Sequence, residues 1–153
     1  MEEIKIREAT VNDLDILLTF EQGIVAAERP FDSTLKDGEI HYYDIAAMIY
    51  EPHISVVVAE LGGKIIGSGY ARIDDAKPYL KHAQYAYLGF MYVAPEFRGK
   101  GVNRLITENL KEWARGRGLT EMRLEVYADN EPAMRAYEKV GFTRHLLEMR
   151  MPI

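Results

Sequence analysis

The stretch that most constrains the fold is Tyr85–Leu110, YAYLGFMYVAPEFRGKGVNRLITENL. Tyr85, Tyr87, Phe90, Tyr92 and Val93 are the aromatic and β-branched residues that strands favour. Pro95, which has no N–H to give, stops the ladder. Arg98-Gly99-Lys100-Gly101 then opens a helix predicted to reach about Arg115, with Val102, Leu105, Ile106, Leu110 and Trp113 at helical spacing. Gly99 and Gly101 permit positive φ and close approach of the backbone. The unpaired N–H groups at the helix start suit an anion such as a pyrophosphate. Arg98, Lys100 and Arg104 add positive charge. An ordinary glycine-containing strand–helix connection on a solvated basic face is the competing reading.

Spacing excludes two other phosphate loops. No GxxxxGK[ST] run exists, and Gly99-Lys100-Gly101 is followed by Val102-Asn103-Arg104, so a GxGxxG fingerprint lacks its third glycine. What Arg98–Asn103 does resemble is the [Q/R]xxGx[G/A] turn of the GNAT acyl-CoA N-acyltransferase superfamily. Arg98 fills its first position and Gly101 its fourth, while Asn103 departs from the usual Gly or Ala. Downstream, Asn130–Phe142 (NEPAMRAYEKVGF) resembles the family's NxxAxxxYxxxGF block. Two motifs in the right order, separated by one helix and one strand, are far more specific than either alone. The resemblance runs from about Ile4 onward and is strongest over 88–142.

Totals are compatible with this. The 153 residues fit one domain, here expected to be an N-acetyltransferase domain spanning 1–153, and 48% hydrophobic with 28% charged residues is ordinary for a globular chain. Nineteen Lys and Arg against 24 Asp and Glu leave a net charge of −5, which disfavours general nucleic-acid binding. No apolar run approaches the roughly 20 residues that span a bilayer, and the MEEIKIREAT start is acidic and alternating, unlike a signal peptide. There are no cysteines, which removes disulfides, thiolate metal sites and an acyl-cysteine intermediate. A cytoplasmic location is expected, with no membrane or nucleic-acid partner. His53, His82 and His145 lack ligand spacing, and no metal is assigned.

Taken in order, Ile4–Arg7 alternates as a half-buried strand. Thr10 or Asn12 caps a helix carrying Leu14, Leu17, Leu18, Ile24 and Val25, which ends before Arg29-Pro30. A loop follows, then a short helix over Asp44–Ile49. Ser55–Glu60 and Lys64–Tyr70 form a hairpin across Gly62-Gly63. After the central strand and helix come a strand at Glu121–Tyr127, a helix from Asn130 to Gly141, and a final strand at Phe142–Met151. The order β-α-α-β-β-β-α-β-α-β is an α/β (α+β) mixed sheet of about six to seven strands with helices on both faces. It is the element order of the GNAT fold, whose central βαβ unit splays open.

The resemblance implies direct transfer of an acetyl group from acetyl-CoA to an amine in a ternary complex, with acetyl-CoA as co-substrate. Met91, Tyr92 and Val93 would bind the pantetheine arm through their backbone, and Arg98, Gly99, Lys100, Gly101, Val102, Asn103 and Arg104 the pyrophosphate. Asn130 would contact the pantetheine or simply cap its helix, or both. Tyr137 stands at the motif tyrosine that protonates the departing thiolate; by spacing alone it is a core tyrosine. Glu125, in Leu124-Glu125-Val126, resembles the base of the ribosomal-protein alanine N-acetyltransferases, and a surface glutamate paired with Arg123 or Arg144 is the equal alternative. A water-mediated base built on Glu21, Glu28 or His41 also stays open.

Acceptor contacts are expected from Glu21, Glu28, Phe31 and Tyr127, within an acidic and aromatic region that includes Asp32, Asp37, Glu39, Tyr42 and Tyr43. A solvated loop with anchoring aromatics is the plainer reading of that region. A catalytically silent acyl-CoA-binding or sensing module, and a protein N-terminal acetyltransferase, remain as alternatives. An edge at the final strand leads to an expected homodimer.

Overall fold

The computed structural model describes residues 3–153. Five strands form one sheet: β1 (Lys5–Glu8), β2 (Ile54–Leu61), β3 (Lys64–Asp75), β4 (Gln84–Val93) and β5 (Met122–Arg123), in spatial order β1-β2-β3-β4-β5. The first three pairings are antiparallel and β4–β5 is parallel. The helices are α1 (Leu14–Glu28), α2 (Ile45–Met48), α3 (Val102–Gly116) and α4 (Glu131–Lys139). No helix among the described residues is long and apolar enough to cross a membrane.

The β2 run Val56-Val57-Val58-Ala59 is buried on both faces, which is why it is continuous rather than alternating. Val56 and Val58 join Leu17, Phe20 and Ile45 under α1 and α2. Val57 and Ala59 join Val102, Ile106 and Leu110 under α3. The start of α1 is fixed by charge. Asp13 is buried, takes two hydrogen bonds from Arg7 at 2.9 and 3.0 Å, and accepts the Thr10 N–H at 2.8 Å.

Two expectations change. The sheet has five strands rather than six or seven, because Phe142–Met151 forms no strand among the described residues. Arg144 reaches Glu131 and Glu138 on α4, and Arg150 reaches Asp32 and Thr34, so both ends of that segment are tied away from the sheet. The strand expected at 121–127 pairs only through Ala86↔Met122 and Tyr87↔Arg123. Beyond Arg123 the chain leaves β4.

Candidate active site

The site begins where β4 changes phase. Leu88 packs on the α3 side, and strict alternation would send Phe90 there too. Phe90 instead packs on the α1 side with Tyr87 and Tyr92, while Met91 and Val93 face α3. The cause is a β-bulge: Tyr70 pairs with Gly89 and Ser68 with Tyr92, so Gly69 alone opposes Phe90 and Met91. Phe90 takes φ +56°, unusual for an aromatic residue, and is buried. Ser68 Oγ donates to its carbonyl at 2.9 Å. Gly89 is required here, since a Cβ would lie 2.4 Å from the Tyr70 ring. Nothing in the local residue preferences marks this bulge.

Below the bulge, β4 leads through a short turn (Pro95–Phe97) into α3. Gly99 and Gly101 both have positive φ, +75° and +82°, and Gly101 is the N-cap of α3 without a side-chain cap bond. A Cβ at either glycine would meet no atom within 4 Å, so there is room beside this backbone for an anion. Arg98 Nε donates to Val93 O at 3.0 Å, Arg104 donates to Lys139 O at 3.2 Å, and Lys100 lies over the Phe97 ring. All three cations thus have neutral partners. Val102 is buried beneath the helix start, and Asn103 is half-buried beside it.

On the other flank, Asn130 Oδ1 caps α4 by accepting the Ala133 N–H at 3.3 Å, the capping role expected of it. Tyr137, on α4, is half-buried and meets Phe142 edge-on at 5.8 Å. Burial, with the Glu28 charge adding to it, pushes its phenol up to about 12. Glu125 does not pair with Arg123 or Arg144. Its Oε1 accepts the Tyr87 hydroxyl at 2.9 Å, at the point where the strands part. Leu124 packs toward α3, so alternation persists past the end of pairing and keeps Glu125 and Tyr127 on the α1 side.

There Tyr127 stacks on Phe31 with centroids 6.1 Å apart and donates to Asp32 at 3.0 Å. Burial, then this bond, raises Tyr127 to about 12. Glu28 is half-buried, and burial raises its pKa. It lies near Tyr42, but no hydrogen bond of normal geometry reaches the buried Tyr42 hydroxyl. Glu28, Phe31 and Tyr127 therefore gather on one side of the gap.

Glu21 does not join them. It is fully buried, and its carboxylate accepts the Tyr42 and Tyr43 N–H groups and faces His41. This corrects its expected contact with the acceptor: it anchors the chain that borders the site. The sequence held a signal for this, because Glu21 stands four residues from both Leu17 and Val25 on the apolar stripe of α1. Among the described residues no group of three or more His, Asp or Glu is placed to hold a metal.

Residues 21–142 match the family model described as "Acetyltransferase (GNAT) family". A mycothiol acetyltransferase from Thermomonospora curvata is 27% identical over 97% of this chain and 51% of its own length. The N-alpha-acetyltransferase RimI of Mycobacterium tuberculosis is 34% identical over 65% of this chain and 58% of that protein. A mutant of the BH1408 protein from Bacillus halodurans superposes with a TM-score of 0.88 at 21% identity, covering 97% of this chain and 99% of that one. The chain spans 34–51% of the length of the mycothiol acetyltransferases first among its curated relatives.

Proposed function

Because this chain belongs to the acetyltransferase (GNAT) family, we propose that its 153 residues act as one domain that moves an acetyl group from acetyl-CoA to a primary amine. Direct attack in a ternary complex is the proposed route. The observation that carries this reading is the parting of β4 and β5 after Tyr87 and Arg123, with Glu125 on the opened side. Acetyl-CoA supplies the thioester whose acyl carbon the amine attacks. The free N–H groups at Gly101–Arg104, with Arg98 and Lys100, hold its pyrophosphate. Met91–Val93 present backbone groups to the pantetheine arm as an added strand would. Asn130 stays a helix cap and borders the same arm.

The proton path uses this chain's own groups. Glu125 accepts the proton that the amine gives up, with the Tyr87 hydroxyl holding its carboxylate in place. Tyr137 Oη gives a proton to the departing sulfur, and burial keeps that proton available at neutral pH. Glu28 is the carboxylate whose charge acts on Tyr137, and after Asp32 it acts on Tyr127 as well; with Phe31 it forms the acceptor's ammonium site before deprotonation. Acid–base assistance of this kind is worth about 10²–10⁴-fold.

The acceptor classes we favour are a small molecule or a peptide α-amine. Support comes from the relatives, one an N-alpha-acetyltransferase and several mycothiol acetyltransferases. We place the protein in the cytoplasm, in keeping with a chain free of cysteine, and read it as a homodimer. Leu146, Leu147, Met149, Met151 and Ile153 are all largely exposed, and a second subunit would cover them.

The test is thiol release from acetyl-CoA with a panel of small amines, aminoglycosides and peptides bearing a free N-terminus. Turnover above the hydrolytic background with one class supports the reading and names the acceptor. Tight acetyl-CoA binding without turnover across the panel would favour a silent sensing module.

A further inference from the structure

His41 lies on the segment that leads from the 32–40 loop into α2 and has a carboxylate on each side. Its Nδ1 is 2.7 Å from Glu21 Oε1, and its Nε2 is 2.7 Å from Glu39 Oε1. A neutral imidazole has one N–H and cannot donate to both, so the geometry calls for the doubly protonated ring. Glu21 is the buried partner, with a side-chain exposure of 0%, whereas Glu39 is 71% exposed. The other Glu21 oxygen accepts the Tyr42 and Tyr43 N–H groups, each at 2.9 Å. Gln22 steadies the same turn by donating to Ile40 O at 2.8 Å.

What this arrangement holds is the wall of the gap. The Tyr43 ring packs 5.3 Å from Phe90, the bulge residue at positive φ, and 5.6 Å from Tyr70. Tyr42, next along, places its buried hydroxyl near Glu28. One imidazolium therefore offsets the buried charge on which both tyrosine amides depend. We propose that His41 is a positioning residue: bridging Glu21 and Glu39, it fixes the Tyr42–Tyr43 wall against the bulge of β4 and so shapes the acceptor side of the site. The positioning role rests on the acetyl-transfer reading; the bridge itself does not.

The bridge is pH-dependent with a fixed sign. The charged groups facing His41 are Glu21 from α1 and Glu39 from its own segment, and both raise its pKa above the ordinary 6.5. The bridge is complete below 6.5 and is lost as pH rises through the raised value. On deprotonation one contact has to break. Glu39 lets go first, since water replaces its hydrogen bond readily, and Glu21 is left with a neutral partner. By linkage, each unit of elevation corresponds to about a tenfold weaker bridge in the neutral form.

Proton NMR of the His41 ring, with amide exchange at Tyr42 and Tyr43, tests the bridge without any acceptor. We expect a midpoint above 6.5 and a fall in amide protection across the same pH range. Glu39→Gln should move both midpoints down together, and His41→Gln should abolish the step. A midpoint at or below the ordinary value, or protection that ignores it, overturns the bridge. In turnover, the acceptor KM should rise across that range while acetyl-CoA KM and kcat change little; a flat acceptor KM overturns the positioning role. Should no amine be acetylated, the acetyl-transfer reading fails and the positioning role with it, while exchange still decides the bridge.

Discussion

The Tyr87 hydroxyl donates to Glu125 Oε1 at 2.9 Å just beyond the last parallel pair of the sheet, Tyr87 and Arg123. Burial and the Glu125 charge both raise Tyr87, so the phenol keeps its proton and acts as a donor throughout the working pH range. Glu125→Gln should lower kcat/KM about 10²-fold. Tyr87→Phe should lower it about tenfold, the worth of one hydrogen bond to a charged group. Calorimetric affinity for acetyl-CoA should be unchanged in both. A Glu125→Gln protein with wild-type rates at every pH would leave the amine to lose its proton to solvent.

Tyr137→Phe should lower kcat and leave acetyl-CoA binding nearly intact, because the hydroxyl acts chiefly in the transition state while the ring still packs on Phe142. The phenol sits at about 12, raised by burial. An unshifted tyrosine would begin to lose its proton near pH 9–10. The rate should therefore show no loss from Tyr137 through that range, and a stopped-flow pH profile of the chemical step checks this. Normal kcat in Tyr137→Phe, with chemistry limiting, would remove the acid.

Gly101 sits at φ +82°, where a β-branched side chain is strained. Gly101→Val should cost about 1–3 kcal/mol of stability. It should also weaken CoA by more than about tenfold, ~1.4 kcal/mol, by disturbing the helix start. Thermal unfolding separates the two effects. A folded variant with unchanged CoA affinity would take the pyrophosphate away from this turn.

At the far end of the sheet, Arg7 holds the buried Asp13 carboxyl below its ordinary value, helped by the Thr10 N–H. A depressed carboxyl stabilises above its unfolded pKa of 3.8, and that contribution is lost as pH falls through the lower folded value. Asp13→Asn should cost about 1–3 kcal/mol at neutral pH, toward the low end because the Arg7 side chain is 37% exposed. Urea unfolding should show the difference shrinking below that pH.

The exposed row from Leu146 to Ile153 predicts self-association. Sedimentation should give a dimer, and a Leu147→Glu/Met149→Glu double variant should give a folded monomer. A monomer across a wide concentration range in the parent protein would leave that row to another partner.

Much of this was legible in the residues. The glycine turn, α3 and the element order up to α4 follow from periodicity and from residues with one conformational use, such as Pro95 and Gly101. What was not legible depends on contacts distant in sequence. Phe90 turns to the α1 side because Gly69 alone opposes Phe90 and Met91 across the sheet, and no local preference encodes that. Phe142–Met151 is expected as a strand, and Leu147, Met149 and Met151 do alternate with charged residues, yet its arginines are drawn to Asp32, Glu131 and Glu138. Glu21 was visible as an acid on an apolar stripe, but its three partners lie about twenty residues downstream.

The extra residue in β4 has a consequence for reading substitutions along that strand. Before Gly89, even-numbered side chains answer to α3; from Phe90 onward, even-numbered ones answer to α1. A scan that treats the strand as a single comb would attribute effects at Tyr92 and Leu88 to the same helix. Deleting one residue at 89–90 would restore a uniform comb and leave Met91, Tyr92 and Val93 on the faces they already occupy. What would go is the kink itself, with its positive-φ residue beside the backbone proposed to meet the pantetheine arm, so in this fold the frame of the strand, as much as the identity of its residues, is heritable information.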